Sequence, residues 1–303
     1  MFNFLFIIIW LFTKKRYALI SLATILLGYG HIDSFIGFNS VNGDASTNTV
    51  QVMSYNLQSI ASLKKKSGKM IADNKDRFIN HMQEQGLPMI LCTQETSYQG
   101  NNLVKESLKY PYSYRGKRYG TSIFSRAPIL ASGELDLRSD EASSAIWSDI
   151  LLEQDTIRVY TFHLRSNKIS KSTSNMLNEA DLQSSKTWNS MRGILENYKN
   201  STKVRVKQSA IIAEHANKSP YKTIFCGDFN DTPLSHVYHL LSKGKKDSFK
   251  HAGSGIGTTY AGVIPALRID YILADERLDI IDHQIHKGNY SDHYPISAQI
   301  VLP

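Results

Sequence analysis

Short apolar runs with polar side chains at or near one end recur along the chain, and this pattern constrains the fold more than any other feature. The runs have the β-branched and aromatic content of strands, and they lie at residues 50–56, 89–95, 121–125, 145–153, 156–164, 222–230, 268–274 and 295–302. Apolar spacing near 3.6 predicts helices over Asp73–Gln85, Asn175–Tyr198, Val204–Asn217 and Ser235–Leu241. Because helices and strands do not alternate strictly, the pattern predicts an α/β fold of the layered α/β sandwich type.

The composition is that of a globular protein, and from Val50 onward no change in composition marks a second domain. Hydrophobic residues make up 42% of the 303 residues and charged residues 20%, so the chain can bury a core and long-range disorder is disfavoured. The formal net charge of +8 favours anionic partners such as nucleic acid, phosphorylated metabolites or acidic lipid headgroups. The sequence contains no GxGxxG or GxxxxGK[ST] pattern, which disfavours a dinucleotide-binding or P-loop enzyme.

The N-terminus contains two apolar stretches separated by a basic cluster. Residues 2–12 are shorter than the ~20 residues that cross a bilayer, and the second stretch runs from Tyr17 to Phe38. A cleaved signal peptide is disfavoured because no small-x-small site follows, and a buried core helix is the other alternative. A membrane anchor fits best, with Lys14–Arg16 on the cytosolic side and the following domain outside. Whether the first stretch is the remnant of a span or half of a hairpin stays open.

The predicted organisation has three parts. Residues 1–38 form a membrane-anchor region with an N-terminal membrane helix, 39–48 (NSVNGDASTN) a polar linker, and 49–303 a single domain. We expect a membrane-anchored, extracytoplasmic and monomeric protein. Its two cysteines, Cys92 and Cys226, both lie inside apolar strands, which favours core thiols over a disulfide.

Residues able to bind a metal or transfer protons recur where the apolar runs end. They are Asn56, Glu95, His163, Asp228, Asn230, Asp270, Asp292 and His293. Strand ends project side chains to one rim of a sheet, where several carboxylates are costly unless a cation neutralises them. Oxygen ligands suit Mg²⁺ or Mn²⁺. The absence of cysteine from this set of residues argues against a structural zinc site.

Each of these residues has a simpler explanation when it is taken singly. Asp228 with Asn230 could form an Asx turn, and His163 could be an ordinary hydrogen-bonded strand histidine. The simpler explanations become jointly improbable because the residues recur in one order with particular neighbours: MSYN, TQE, GTSIFSR, TFHL, GDFND, RIDYI and SDHYP.

These segments, in this order, resemble the endonuclease/exonuclease/phosphatase superfamily, which includes apurinic-site endonucleases, pancreatic-type deoxyribonuclease, bacterial sphingomyelinases and inositol polyphosphate 5-phosphatases. The resemblance spans about Val50 to Leu302. It implies two packed, mostly antiparallel β-sheets flanked by helices, with an active site at one edge. It also makes 49–303 the catalytic domain of a metal-dependent hydrolase that acts on phosphoric ester bonds.

The resemblance further implies a role for each matching residue. Glu95 is the principal metal ligand, with Asn56 beside it, and Asp292 supports a metal or His293. Asp228 orients or deprotonates the attacking water, and Asn230 holds the water or a phosphoryl oxygen. His293 contacts the phosphoryl group, and Asp270 fixes its tautomer. His163 matches a second histidine of the deoxyribonuclease and sphingomyelinase branches, whereas Arg165 matches no known role.

The expected activity is hydrolysis of a phosphodiester by in-line attack of an activated water. The partner is nucleic acid or a phospholipid headgroup, and the sequence does not choose between them. Two alternatives remain: a phosphomonoesterase that acts on small phosphorylated compounds, and an inactive binding module with the same fold.

Overall fold

The computed structural model describes residues 2–39, 48–58, 72–117, 120–138, 143–167, 185–262 and 266–302. The strands are β1 (Ile36–Phe38), β2 (Thr49–Asn56), β3 (Ile90–Gln94), β4 (Tyr112–Arg115), β5 (Ser122–Ser125), β6 (Ile129–Glu134), β7 (Ser144–Leu152), β8 (Asp155–His163), β9 (Lys222–Asp228), β10 (Lys245–Asp247), β11 (Ser254–Ile256), β12 (Asp270–Asp275), β13 (Asp279–Ile285) and β14 (Ile296–Val301). The helices are α1 (Phe2–Phe12), α2 (Arg16–Leu27), α3 (Tyr29–Ile32), α4 (Ala72–Glu84), α5 (Tyr98–Ser107), α6 (Ser185–Asn217), α7 (His236–Ser242) and α8 (Ser248–Ala252).

Two six-stranded sheets form the body of the protein. The first sheet has the order β13-β14-β2-β3-β5-β4, and the second has the order β10-β12-β9-β8-β7-β6. In each sheet one central pair is parallel, β2 with β3 and β8 with β9, and the other neighbours are antiparallel. The prediction of an α/β sandwich of two mostly antiparallel sheets is confirmed.

The central strands are buried on both faces, which explains why they appear in the sequence as continuous apolar runs. Val52 of the first sheet and Val159 of the second belong to a core cluster shared by the two sheets. On the opposite face of β2, Met53 and Tyr55 pack with Phe78 of α4. The opposite face of β8 packs in the same way against α6 and α7. The helices therefore cover the outer faces of both sheets.

The predicted helices at 73–85 and 235–241 correspond to α4 and α7 within one or two residues. The two predictions at 175–198 and 204–217 merge into the single 33-residue helix α6, and residues 175–184 lie outside the described part of the chain. Cys92 and Cys226 are free thiols in the core between the sheets, as predicted.

The N-terminal residues form two short helices in place of the predicted membrane span. α1 has 11 residues and α2 has 12, and Thr13–Lys15 separates them. Over the described residues, no helix combines the length and apolar character that crossing a bilayer requires. The predicted membrane helix and the membrane-anchored, extracytoplasmic location are therefore wrong. A span needs ~20 residues, and Tyr17–Phe38 is instead divided among α2, the four-residue α3 and the strand β1.

The end of this N-terminal segment pairs with the sandwich domain. β1 lies antiparallel to β11, and the backbone N–H of Gly257 donates to the carbonyl of Phe35 at 2.9 Å. Asp33 forms a salt bridge of 3.1 Å with Lys250 of α8. Most of the predicted linker, residues 40–47, lies outside the described residues. The division at 38, 39–48 and 49 thus stays a prediction.

Candidate active site

The candidate site lies where the carboxyl ends of the two parallel strand pairs meet. Asn56 ends β2 beside Gln94 of β3, and His163 ends β8 beside Asp228 of β9. Asp270, the first residue of β12, is paired with Asp228. Because the two sheets pack face to face, these ends converge on one rim. All eight residues singled out in the sequence lie there, and their individual roles stay predictions.

Two of these residues have a left-handed backbone. Glu95 has φ +48° and Asn230 has φ +52°, a region that few residues other than glycine adopt. The turn after Glu95 is held by Gly120, whose carbonyl accepts a hydrogen bond of 2.6 Å from the backbone N–H of Thr96. A Cβ on Gly120 would lie 2.5 Å from that nitrogen. This close approach explains the glycine of the GTSIFSR segment.

Asn56 connects carboxylates that belong to different sheets. Its side-chain Nδ2 donates to Oε1 of Glu95 at 3.2 Å and to Oδ2 of Asp228 at 3.0 Å. The backbone N–H of Gln58 donates to Asn56 Oδ1 at 3.0 Å, which fixes the orientation of the amide. Asn56 is itself buried. It therefore sets the distance between the two acidic groups.

His163 faces the same two carboxylates from the second sheet. Its Nε2 lies 3.3 Å from Glu95 Oε1 and 3.7 Å from Asp228 Oδ2. This nitrogen is buried and has no hydrogen-bond partner among the described residues. One ligand atom from each of Glu95, His163 and Asp228 lies within 4.8 Å of the others. The arrangement offers two carboxylates and an imidazole nitrogen to a cation.

A second group surrounds Asp228 on its other side. Nδ1 of His293 lies 2.9 Å from Oδ2 of Asp270, and its Nε2 lies 3.8 Å from Oδ2 of Asp228 and 4.0 Å from Oδ1 of Asp292. Burial opposes a charge on His293, but the carboxylates of Asp270 and Asp228 outweigh it and raise the pKa of His293 to about 10. The imidazole is therefore held as a cation by the surrounding carboxylates.

Two carboxyl groups in this site, those of Asp228 and Asp292, are harder to ionise than usual. Burial, and then the charge of Asp270, raise the pKa of Asp228, although His293 and His163 lower it. Burial also raises the pKa of Asp292, and the nearby Glu95 carboxylate raises it further. Closely spaced buried carboxylates with oxygen and imidazole donors fit a hard divalent cation, which removes this electrostatic cost.

Five of the eight site residues line a cavity of about 250 Å³, namely Glu95, Asp228, Asn230, Asp292 and His293. The cavity is also lined by residues that the sequence analysis did not single out. Tyr198 of α6 forms part of its wall, as do Asn167, Asp231 and Tyr260. The buried Arg205 of α6 lies behind this wall. Its guanidinium donates to Asp231 Oδ2 at 3.0 Å and to Asn167 Oδ1 at 2.6 Å. Asp231 belongs to the GDFND segment quoted in the sequence analysis, but nothing in the sequence indicated that Arg205, on a distant helix, is its partner.

Arg165, which had no predicted role, contributes its backbone to the same region. Its N–H donates to Gln208 Oε1, and its carbonyl accepts from Arg205 Nη1, both at 3.0 Å. Asn230 is held in the adjoining loop, where its Nδ2 donates to the carbonyl of Leu164 at 3.1 Å. Helix α6 therefore fixes the segments that follow both β8 and β9.

Several solved structures share this fold at low sequence identity. An endonuclease/exonuclease/phosphatase family protein from Bacteroides thetaiotaomicron aligns with 17% identity and a TM-score of 0.63 over 84% of this chain and 98% of that chain. Zebrafish (D. rerio) TDP2 complexed with a single-strand DNA product aligns with 16% identity and a TM-score of 0.63, over 84% and 99%. A mannosyl-6-phosphatase from B. thetaiotaomicron aligns with 17% identity and a TM-score of 0.58, over 84% and 100%.

The family comparison covers most of the chain. No curated protein matches the sequence significantly. Residues 1–35 match a domain of unknown function. Residues 53–293, which contain all eight site residues, match the model of the Endonuclease/Exonuclease/phosphatase family. The chain therefore belongs to the endonuclease/exonuclease/phosphatase family, and it is a metal-dependent enzyme that hydrolyses phosphoester bonds.

Proposed function

We propose that this enzyme is a phosphodiesterase that requires Mg²⁺ or Mn²⁺ and hydrolyses its substrate by in-line attack of an activated water. The observation that carries the proposal is the Glu95–His163–Asp228 cluster. Its atoms lie within 4.8 Å of one another, Asn56 bridges its two carboxylates, and the buried His163 Nε2 makes no hydrogen bond within the described part of the chain. A buried nitrogen without a partner is costly unless a ligand satisfies it.

The residues present fit a bound divalent cation. Glu95 is proposed to hold it, with His163 and Asp228 facing the same point and Asp292 nearby. Asn56, whose Nδ2 donates to both carboxylates, keeps them in place. The cation would supply Lewis acidity and neutralise charge on the phosphoryl oxygens. Asp228 then orients the attacking water and takes its proton. The backbone N–H of Asn230 donates to Asp228 Oδ1 at 2.8 Å, which keeps the carboxylate in that orientation.

His293 and Asn230 are proposed to contact the phosphoryl group. The Asp270 carboxylate accepts from His293 Nδ1–H, so that Nε2 faces the cavity. A positively charged imidazole at this point stabilises negative charge that develops in the transition state. Asn230, with its strained φ of +52°, is held by hydrogen bonds from its backbone N–H and its Nδ2, and its side chain lies at the cavity wall.

The proposed substrate is nucleic acid. The exposed lysines of α6 at positions 199, 203 and 207 recur every four residues and so lie along one side of the helix. Tyr198 belongs to the same helix. Together with the net charge of +8, these lysines favour a polyanion. A phospholipid headgroup is the alternative, because the same net charge also favours acidic lipid.

The test compares bis(4-nitrophenyl) phosphate with 4-nitrophenyl phosphate in Mg²⁺, in Mn²⁺ and in excess EDTA. We expect faster cleavage of the diester with either metal and no cleavage in EDTA, and the Asp228→Asn protein purified in parallel controls for contaminating hydrolases. Preference for the monoester would indicate a phosphomonoesterase, and no cleavage of either would indicate a binding module. Single-stranded DNA, RNA and phospholipid vesicles tested side by side then identify the natural class.

A further inference from the structure

Tyr198 occupies a position that the catalytic chemistry does not explain. It comes from α6, outside both sheets, and it lines the same cavity as Glu95 and His293. Within the described part of the chain, its hydrogen bonds and ring contacts are with Asp231, Arg205 and Thr202 and not with the Glu95–His163–Asp228 cluster. The cavity therefore continues past the reacting centre to a wall that the rest of the substrate must contact.

The ring of Tyr198 is fixed at two points. Its hydroxyl donates to Asp231 Oδ1 at 3.2 Å, and the Arg205 guanidinium carbon lies 5.6 Å from the ring centroid. The residue nevertheless remains 39% exposed. A ring held in this way loses little conformational entropy when a ligand contacts it.

The support behind the ring is itself rigid. The side chains of Arg205 and Asp231 are fully buried and paired at 3.0 Å, and the backbone N–H of Thr232 also donates to Asp231 Oδ1 at 3.0 Å. Asp231 directly follows Asn230, so the ring and the catalytic loop belong to one hydrogen-bonded unit. The distance between Tyr198 and the reacting phosphate is thereby set.

We propose that Tyr198 is a specificity-determining residue, on which a planar ring of the group esterified to the phosphate stacks, as a nucleobase does. The inference rests on the proposed function and deepens it. Tyr260, Leu267 and Ile269 also line the cavity and give it further apolar surface. Aromatic rings stack on any nucleobase.

The experiment uses two diesters that share one leaving group. They are the 4-nitrophenyl ester of thymidine 5′-monophosphate, which carries a base, and methyl 4-nitrophenyl phosphate, which does not. For Tyr198→Leu we expect KM for the thymidine ester to rise about tenfold more than KM for the methyl ester, because stacking a base on an aromatic side chain contributes about 1–3 kcal/mol. Tyr198→Phe keeps the ring and should keep most of the discrimination.

The matched control is Tyr112→Leu, since Tyr112 is 40% exposed on the edge strand β4 and does not line the cavity. It should leave both KM values unchanged. A second measurement needs no variant: thymidine 5′-monophosphate should inhibit the wild-type enzyme about tenfold more strongly than inorganic phosphate. The assignment would be overturned if thymidine 5′-monophosphate and inorganic phosphate inhibited equally. It would also be overturned if Tyr198→Leu raised KM for the two esters by the same factor. If the wild-type enzyme cleaves neither diester with metal present, the proposed function itself has failed.

Discussion

The imidazole of His293 lies with its Nδ1 2.9 Å from Oδ2 of Asp270, and this contact joins β12 to the loop before β14. The backbone amide of Asp270 donates to Thr259 Oγ1 at 3.1 Å, and the ring of Tyr260 packs on His293 at 5.2 Å. The histidine is therefore oriented from both sides before any substrate arrives.

Replacing Asp270 by asparagine should lower kcat far more than it changes KM. The amide cannot stabilise a positively charged His293, and losing such an acid–base arrangement costs ~10²–10⁴-fold. Steady-state kinetics on bis(4-nitrophenyl) phosphate measure the effect. Asp279→Asn is the control, because that aspartate is exposed on β13 and pairs only with Lys246 among the described residues. A near-normal kcat for Asp270→Asn would remove the proposed role of the pair.

Glu95→Gln should weaken cation binding without destabilising the metal-free protein. The carboxylate of Glu95 lies among other acidic groups and raises the pKa of Asp292, so its removal relieves repulsion when no cation is bound. Saturating Mn²⁺ should raise the melting temperature of the wild type and leave that of the variant nearly unchanged. Glu214→Gln, on the exposed end of α6, should behave as wild type. Equal Mn²⁺ stabilisation of Glu95→Gln would show that the ion binds elsewhere.

Gly120→Ala should destabilise the fold and disturb the metal site together. The backbone at Gly120 has φ +62°, which costs an alanine roughly 1–2 kcal/mol, and its Cβ would also press on the backbone of Thr96, next to Glu95. Gly244→Ala separates the two effects, because Gly244 has φ +68° but no described atom within 4 Å of its Cβ. Urea unfolding and Mn²⁺ titration should show weaker metal binding for Gly120→Ala alone. Similar losses in both variants would contradict this.

His283 should make the protein less stable in mild acid. Burial lowers its pKa to about 3, Arg268 and His286 lower it too, and Asp247 only partly opposes them. Its Nδ1 contacts Ser248 Oγ at 2.8 Å. Because the folded pKa lies below the unfolded value of about 6.5, the unfolded chain binds the extra proton between these values. The stability from neutral His283 is complete above about pH 6.5 and is lost as pH falls, by up to ~1.4 kcal/mol per pH unit.

The check is the free energy of unfolding in urea measured between pH 4.5 and 6.5. His283→Gln should make the free energy of unfolding depend less steeply on pH, by a slope that corresponds to at most one proton. His239→Gln, which replaces an exposed histidine of α7, is the matched control. An unchanged slope in His283→Gln would mean that other groups cause the acid sensitivity.

The rim that carries the candidate site residues was predictable from sequence because strand ends carry their own local signal. Asn56, Asp228 and His293 each follow or precede an apolar run, and the packing of two sheets brings such ends together. Arg205 and Tyr198 have no such signal. Their importance comes from a helix that packs across the loops after β8 and β9, and nothing near them in sequence specifies that contact.

The N-terminal prediction failed for a different reason. Apolar content alone does not show where a helix ends, and the end of α2 at Leu27, before Gly28, decided the outcome. Several strands at the sheet edges, β4, β6, β10 and β13, were also missed. Because only part of an edge strand is buried, its apolar pattern is weak.

The hydroxyl of Ser291 donates to the backbone carbonyl of Asn56 at 2.7 Å, across 235 positions of the chain. Close to this contact, the late strand β14 pairs with the early strand β2 in the first sheet. Contacts between such distant segments form slowly, because a long loop must close before they contribute any stability. During refolding, therefore, helical and hairpin structure should return first. Hydrolytic activity should reappear only in the slowest kinetic phase, when these two strands join.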